Sequence, residues 1–211
     1  MPTRLTRREF AVPAAAAAAM ALSPALFAQT PAPPITRAIP SSGERLPAVG
    51  LGTAAVFDTD DAATRQKASA VIKALVADSG SLIDTASSYG DAERVIGEVT
   101  AAAGLRARLF IASKLEAPDE SELQRSLARL QTGKLDLLQL HNVDDPQQSL
   151  ARFRDWKAQG VCRYIGITST SHGDFPAIEA VLTREKPDFV QIDYSLDDRE
   201  ASGAFFRSPR K

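Results

Sequence analysis

Leu135-Asp-Leu-Leu-Gln-Leu-His141, a stretch of helical spacing from Gln147 to Gln159, Gly160, and then Val161-Cys-Arg-Tyr-Ile-Gly-Ile-Thr168 decide the fold. The first run is apolar almost throughout, as in a strand covered on both faces. The glycine ends the helix, and a second run of strand length follows it. A strand, a crossover helix and a second strand make one parallel unit.

The same unit recurs on both sides. Upstream, Arg108 to Lys114 reads as a strand, and Glu120 to Gln131 as a helix closed by Gly133. Before them come a short strand at Ser81-Leu-Ile-Asp84 and a helix from Ala92 to Ala103, closed by Gly104. Ala62 to Ala77 carries Ala and Val at helical spacing behind two candidate caps, Asp60 and Asp61. Leu46 to Thr53 reads as a strand ending in glycines, where a backbone approaches closely. Downstream, Phe175 to Arg184 reads as a helix and Phe189 to Asp193 as a strand.

Strand–helix repeats of this kind suit a doubly wound open sheet or a closed (β/α)8 TIM barrel. No G-x-G-x-x-G follows the first strand, which weakens the dinucleotide-fold version. Asp84, Lys114, His141 and Thr168-Ser169 each end a different successive strand. In a barrel those ends share one rim, where active sites are built. The expected fold class is therefore α/β, a TIM barrel, with strand ends near Thr53, Asp84, Lys114, His141, Ser169 and Asp193. That is about six of the eight βα units such a barrel contains.

Composition narrows the function. The 211 residues are 44% hydrophobic and 24% charged, and 25 basic residues against 26 acidic ones give a net charge of -1. This excludes a strongly basic nucleic-acid binder and an acidic disordered tail. One Cys rules out an intramolecular disulfide framework, and with only two His it leaves no support for a metal site.

The first residues have a character of their own. Thr6-Arg7-Arg8-Glu9-Phe10 resembles the twin-arginine export motif, and an Ala-rich run to Leu22 follows it. Residues 1–28 are read as a signal peptide cut after Ala28, or alternatively after Ala25. The apolar core is too short, and too interrupted by Pro13 and Pro24, for a transmembrane helix. An Ala-rich amphipathic arm is the competing reading. Export implies the twin-arginine machinery as a partner of the precursor, a periplasmic or otherwise exported location, and no stable membrane insertion. Residues 29–45 are read as a lead-in, 46–201 as the partial barrel and 202–211 as an atypical tail.

Asp84, Tyr89, Lys114 and His141 are the catalytic candidates. A Tyr hydroxyl titrates near pH ~10 on its own, and a neighbouring ammonium favours its ionised form. Asp84 beside Lys114 would keep the Lys charged and placed, and His141 would supply a second polar group at a reacting oxygen. The set suits proton delivery to a carbonyl oxygen while hydride reaches the carbon. It offers no acyl-transfer nucleophile and no carboxylate pair for glycoside hydrolysis. Hydride must come from a cofactor.

From Leu46 to Ala201 the chain resembles the aldo-keto reductases. The resemblance rests on an ordered set: Gly50-Leu-Gly-Thr53, Asp84-Thr-Ala-Ser-Ser-Tyr-Gly90 with Glu93 and Ile96-Gly97, Lys114, and Leu137-Leu-Gln-Leu-His141. Gly160-Val-Cys-Arg-Tyr-Ile-Gly-Ile-Thr-Ser169 and Gln191 before Tyr194-Ser-Leu complete it. It implies an eight-stranded barrel that uses NADPH, less often NADH, to interconvert a carbonyl and an alcohol on a small molecule. Tyr89 matches the proton donor, Lys114 and Asp84 its tuning partners, and His141 the residue orienting the carbonyl. Thr53, Thr168, Ser169 and Gln191 match cofactor-binding positions, the last three at the nicotinamide carboxamide. The Thr-Ser at 168–169 stands where many members have Ser-Asn, which makes Gln191 the firmer contact. The loop Ala54 to Asp60, including Phe57, is expected to line the substrate opening.

The expected departure is at the other end. After Ala201 the pattern changes to Ser202-Gly-Ala-Phe-Phe-Arg-Ser-Pro-Arg-Lys211, read as a tail without helix period. It is the kind of ending a reading-frame shift produces. The resemblance places a stacking aromatic and phosphate-clamping loops in the two units not found. Two further readings therefore stand beside the reductase: a catalytically inactive fragment with little cofactor binding, and an unrelated barrel enzyme such as a lyase or isomerase.

Overall fold

The computed structural model describes residues 33–142 and 146–205. The export segment expected at residues 1–28 and the end of the tail, residues 206–211, lie outside the described residues.

The described chain opens with an antiparallel hairpin of β1 (Thr36–Ala38) and β2 (Arg45–Pro47). Its turn closes where Ile39 N–H donates to the Glu44 carbonyl at 2.8 Å, with Gly43 at φ +77°. Thr36 to Arg45, expected to belong to a lead-in, therefore form structure. The strand expected over Leu46 to Thr53 is divided between β2 and β3 (Leu51–Gly52).

The repeat follows: α1 (Ala62–Ala77), β4 (Leu82–Asp84), α2 (Ala92–Ala102), β5 (Phe110–Leu115), α3 (Glu120–Arg129), β6 (Leu135–His141), α4 (Pro146–Ala158), β7 (Cys162–Ser169), α5 (Phe175–Glu185), β8 (Phe189–Ile192) and α6 (Glu200–Phe205). Local chemistry sets these boundaries. Of the two candidate caps on α1, Asp61 performs the role, its carboxylate accepting from Thr64 N–H at 2.8 Å. Asp60 instead binds the guanidiniums of Arg65 and Arg94. Ala68, Ile72 and Val76, four residues apart, form the buried stripe of that helix. The final helix continues past Ala201 to Phe205, whose ring meets Phe175 of α5 edge-on at 5.1 Å. Ser202 to Phe205 thus belong to a helix and not to a patternless tail.

β3 to β8 form one parallel sheet in the order β3-β4-β5-β6-β7-β8. A doubly wound sheet reverses its strand order at a switch point. A sheet in which every strand lies beside its chain neighbour is wound as a TIM barrel, and six of the eight βα units are described here.

The two-residue side-chain period divides each strand between two environments. Ile83, Ile111, Leu115, Leu138, Leu140, Ile165 and Ile167 face the helices and join Ile72, Ile96, Leu123, Phe153 and Trp156 in the main core. On the opposite face, Phe110, Ala112, Leu137 and Tyr164 form a second cluster, which Ile39 and Leu46 of the hairpin join. Along that same face, toward the strand ends, the residues become polar: Asp84, Lys114, Gln139, His141, Thr168 and Gln191. The inner face is apolar where the hairpin covers it and polar at the rim.

Candidate active site

The rim residues converge through the parallel register. Asp84 lies opposite Ala112, Lys114 opposite Gln139, His141 opposite Thr168, and Thr168 opposite Gln191. Five successive strand ends therefore contribute to one polar layer.

Lys114 is at its centre. Its side chain is only 2% exposed, and its ammonium donates to Asp84 Oδ2 at 2.6 Å and to the Thr85 carbonyl at 2.9 Å. A third contact reaches the Tyr89 hydroxyl at 3.5 Å, with the ammonium 5.0 Å from the centre of that ring. A buried ammonium needs such partners to remain charged. Tyr89 packs against the main core, and its ring meets the His141 ring edge-on at 5.8 Å. All four catalytic candidates are thus brought together.

The loop bearing Tyr89 is fixed from several sides. Gly90 has φ +51°, and a Cβ there would come within 2.5 Å of the Asp58 carbonyl oxygen. Only glycine satisfies both demands. Behind the loop, Arg129 donates to the Ser87 carbonyl at 3.1 Å and to Glu93, which also accepts from Ser113 at 2.7 Å. Burial pushes the Glu93 carboxyl up from its usual range, against the hydrogen bonds of Ser113 and Ser126 and the charge of Arg129. Glu122 accepts from Ser87 Oγ and from the backbone N–H groups of Glu116 and Ala117, tying this loop to the one after β5.

The four expected cofactor positions differ in what their side chains already do. Thr53 is fully buried, and its hydroxyl donates to the Asp84 carbonyl at 3.0 Å, which holds the backbone of a catalytic candidate. Ser169 Oγ donates to Asp174 at 2.7 Å and accepts from Ser171 N–H, so it is engaged within its own loop. Thr168 Oγ1 is buried without a hydrogen-bond partner among the described residues. Gln191, exposed beside it, accepts from Gln139 Nε2 at 3.0 Å and donates to Asp84 Oδ2 at 3.4 Å. Phe57, expected on the wall of the opening, is instead buried in the main core.

Three polar residues that sequence reading missed complete the rim. Gln139 crosses β7 to reach Gln191, and the missing side chain of Gly166 makes this possible, since a Cβ there would crowd Gln139 Cγ at 3.1 Å. Glu116 receives His141 Nδ1 at 2.5 Å, and Ser88 lies 3.4 Å from the same nitrogen. Among the described residues, no group of three or more His, Cys, Asp and Glu is arranged to hold a metal ion, and no helix is long and apolar enough to cross a membrane.

Comparison with known proteins bears directly on this arrangement. The model of the Aldo/keto reductase family matches residues 48–205. Methylglyoxal reductase YeaE of Escherichia coli is 35% identical over 164 residues, 73% of this chain and 56% of that protein. Aldo-keto reductase YhdN of Bacillus subtilis is 29% identical over 182 residues, 77% of this chain and 54% of its own. The chain thus spans about half the length of the curated relatives it matches. Among solved structures, the thermostable aldo-keto reductase Tm1743 in complex with epalrestat superposes with a TM-score of 0.68 at 26% identity, covering 81% of this chain and 66% of that one. An aldo-keto reductase from Klebsiella pneumoniae in complex with NADPH gives 0.56 at 32% identity, over 64% and 50% of the two chains.

Proposed function

The chain belongs to the aldo/keto reductase family, and from that premise we propose that it interconverts a small carbonyl compound and its alcohol with NADPH or NADH. The observation that carries this reading is the buried Lys114 ammonium, set between the Asp84 carboxylate and the Tyr89 hydroxyl. Asp84 neutralises the ammonium and fixes its position. The ammonium stabilises the negative charge that develops on the phenol oxygen as its proton leaves. Tyr89 is then the group that delivers a proton to a carbonyl oxygen, or receives one from an alcohol. His141, beside the Tyr89 ring, contacts the same oxygen.

Thr168 and Gln191 fit a nicotinamide carboxamide. The buried Thr168 hydroxyl lacks a partner among the described residues, and the Gln191 amide stands next to it in register. A nicotinamide bound there supplies the hydride that no side chain can. Ser169 and Thr53 act behind this contact, through Asp174 and the Asp84 carbonyl respectively. NADPH comes first because the Klebsiella pneumoniae neighbour is described in complex with it. Methylglyoxal is the first substrate to test, after the name of the Escherichia coli relative.

Calorimetric titration of the full chain with NADPH and with NADH tests the cofactor reading. Saturable binding is expected, with Thr168→Val folding at least as stably and binding roughly 2- to 12-fold more weakly, the value of one neutral hydrogen bond. A chain that binds neither nucleotide overturns the proposal and leaves the inactive fragment. Export by the twin-arginine route is proposed from Thr6 to Phe10 and the Ala-rich run. Cytoplasmic retention of an Arg7→Lys, Arg8→Lys precursor beside an exported wild type supports it, and equal export of both refutes it.

A further inference from the structure

At the N-terminal ends of the strands, opposite the catalytic rim, lies a cavity of about 490 Å³ lined by five cationic side chains. Arg45 comes from β2, Arg106 and Arg108 from the short 3-10 turn before β5, Lys134 from the residue before β6, and Arg163 from β7. Among the described residues, Glu44 and Asp136 are the acidic groups that line it.

Both carboxylates are already engaged. Asp136 is buried, accepts from the Ile111 N–H at 2.9 Å, and pairs with Arg106 at 3.2 Å and Arg163 at 2.9 Å. Glu44 pairs with Arg163 and accepts from the Tyr164 hydroxyl at 2.6 Å. Arg106 and Arg163 therefore have a structural role in these ion pairs. The other three cations have only neutral partners among the described residues, or none. Arg45 donates to Thr36 Oγ1 at 2.8 Å and to the Thr36 carbonyl at 3.1 Å. Arg108 donates to the Val76 carbonyl at 3.3 Å, at the end of α1. These bonds place two guanidiniums without neutralising them.

Single surface cations are simply solvated, but this group shares one concavity. Buried Leu46, Leu109 and Phe110 form part of its wall, and apolar walls concentrate a field of one sign. Guanidiniums already anchored on one edge lose little freedom when a ligand arrives. We propose that this cavity binds a small molecule through a diphosphate group. Guanidinium forks match phosphate oxygens, and one phosphate carries only about -1.5 to -2 charges. Three uncompensated cations therefore suit two linked phosphates better than one. The volume lies within the range of about 300–1,000 Å³ usual for small-molecule sites.

Calorimetric titration of the full chain with inorganic pyrophosphate and with ADP, at fixed ionic strength, tests the site. Saturable binding of at least one of them is expected. The triple variant Arg45→Gln, Arg108→Gln, Lys134→Gln should bind at least about 10-fold more weakly. All three residues are exposed, so its circular dichroism should match that of the wild type. Should the triple variant fail to fold, Lys134→Gln alone should weaken binding roughly 2- to 5-fold. Tighter binding of ADP assigns the diphosphate to a nucleotide, and tighter binding of pyrophosphate assigns it to the free anion. Saturating NADPH should leave the affinity unchanged, because the rim lies at the other end of the strands. Absence of saturable binding, undiminished affinity in the folded variants, or competition by NADPH each overturns the proposal. A chain that binds pyrophosphate but no nicotinamide nucleotide would refute the proposed function and leave this site standing.

Discussion

Removing either end of the Asp84–Lys114 pair should abolish activity, but the two losses should differ in stability. At 2.6 Å and an effective dielectric of about 20 the charges attract by roughly 6 kcal/mol, most of it offset by lost hydration. The asymmetry lies in what each substitution leaves behind. Asp84→Asn leaves an ammonium whose side chain is 2% exposed, with the Thr85 carbonyl and a neutral amide oxygen for partners. Breaking a buried pair in this way costs about 3–5 kcal/mol, and the retained amide acceptor sets the expectation near 3. Lys114→Met removes the buried charge and fills the space with an apolar chain of similar length. It leaves a carboxylate that is 24% exposed and still near Gln191 Nε2, so about 1 kcal/mol is expected. For a domain of this size the midpoint of thermal unfolding should fall by about 6–12 °C for Asp84→Asn and about 2–4 °C for Lys114→Met. Urea unfolding followed by circular dichroism measures both. Equal losses, or a larger loss for Lys114→Met, would show that the desolvated ammonium is not the costly partner.

Gly90→Ala combines a left-handed backbone with a Cβ 2.5 Å from the Asp58 carbonyl oxygen. It should cost at least about 2 kcal/mol and displace the Tyr89 loop, and a variant with wild-type stability and activity would contradict that geometry. Cys162 is buried, and burial pushes its thiol up to about 12. Because the thiolate is the nucleophile, the folded chain should resist a thiol reagent at pH 8 and react at once in denaturant; rapid labelling of the folded chain would show the site to be open.

Much of this fold could be read from the chain because its signals are local. Leu135 to His141 is an apolar run closed by a polar residue, and α1 has an acidic cap and a four-residue apolar spacing. The β1–β2 hairpin was not legible. Its strands have three residues each, and Ile39 and Leu46 acquire meaning only from Phe110, Leu137 and Tyr164, distant in sequence. The helix beyond Ala201 depends likewise on Phe205 meeting Phe175. In the site, Asp84, Lys114 and His141 stood out as polar residues closing apolar strands. Glu116 carried a signal that went unread, since it lies two residues after Lys114, the spacing that returns a side chain to the same face. Gln139 was hidden inside an apolar run, and its role depends on the space left by Gly166.

In the proposed reaction Tyr89 moves the proton, while Thr168 and Gln191 hold the cofactor. The direct measurement is NADPH oxidation with methylglyoxal by the wild type and by Tyr89→Phe, each with its NADPH affinity determined. Turnover should fall at least about 100-fold in Tyr89→Phe with NADPH affinity unchanged, as the loss of a general acid requires. Turnover by Tyr89→Phe near that of the wild type would show that another group moves the proton.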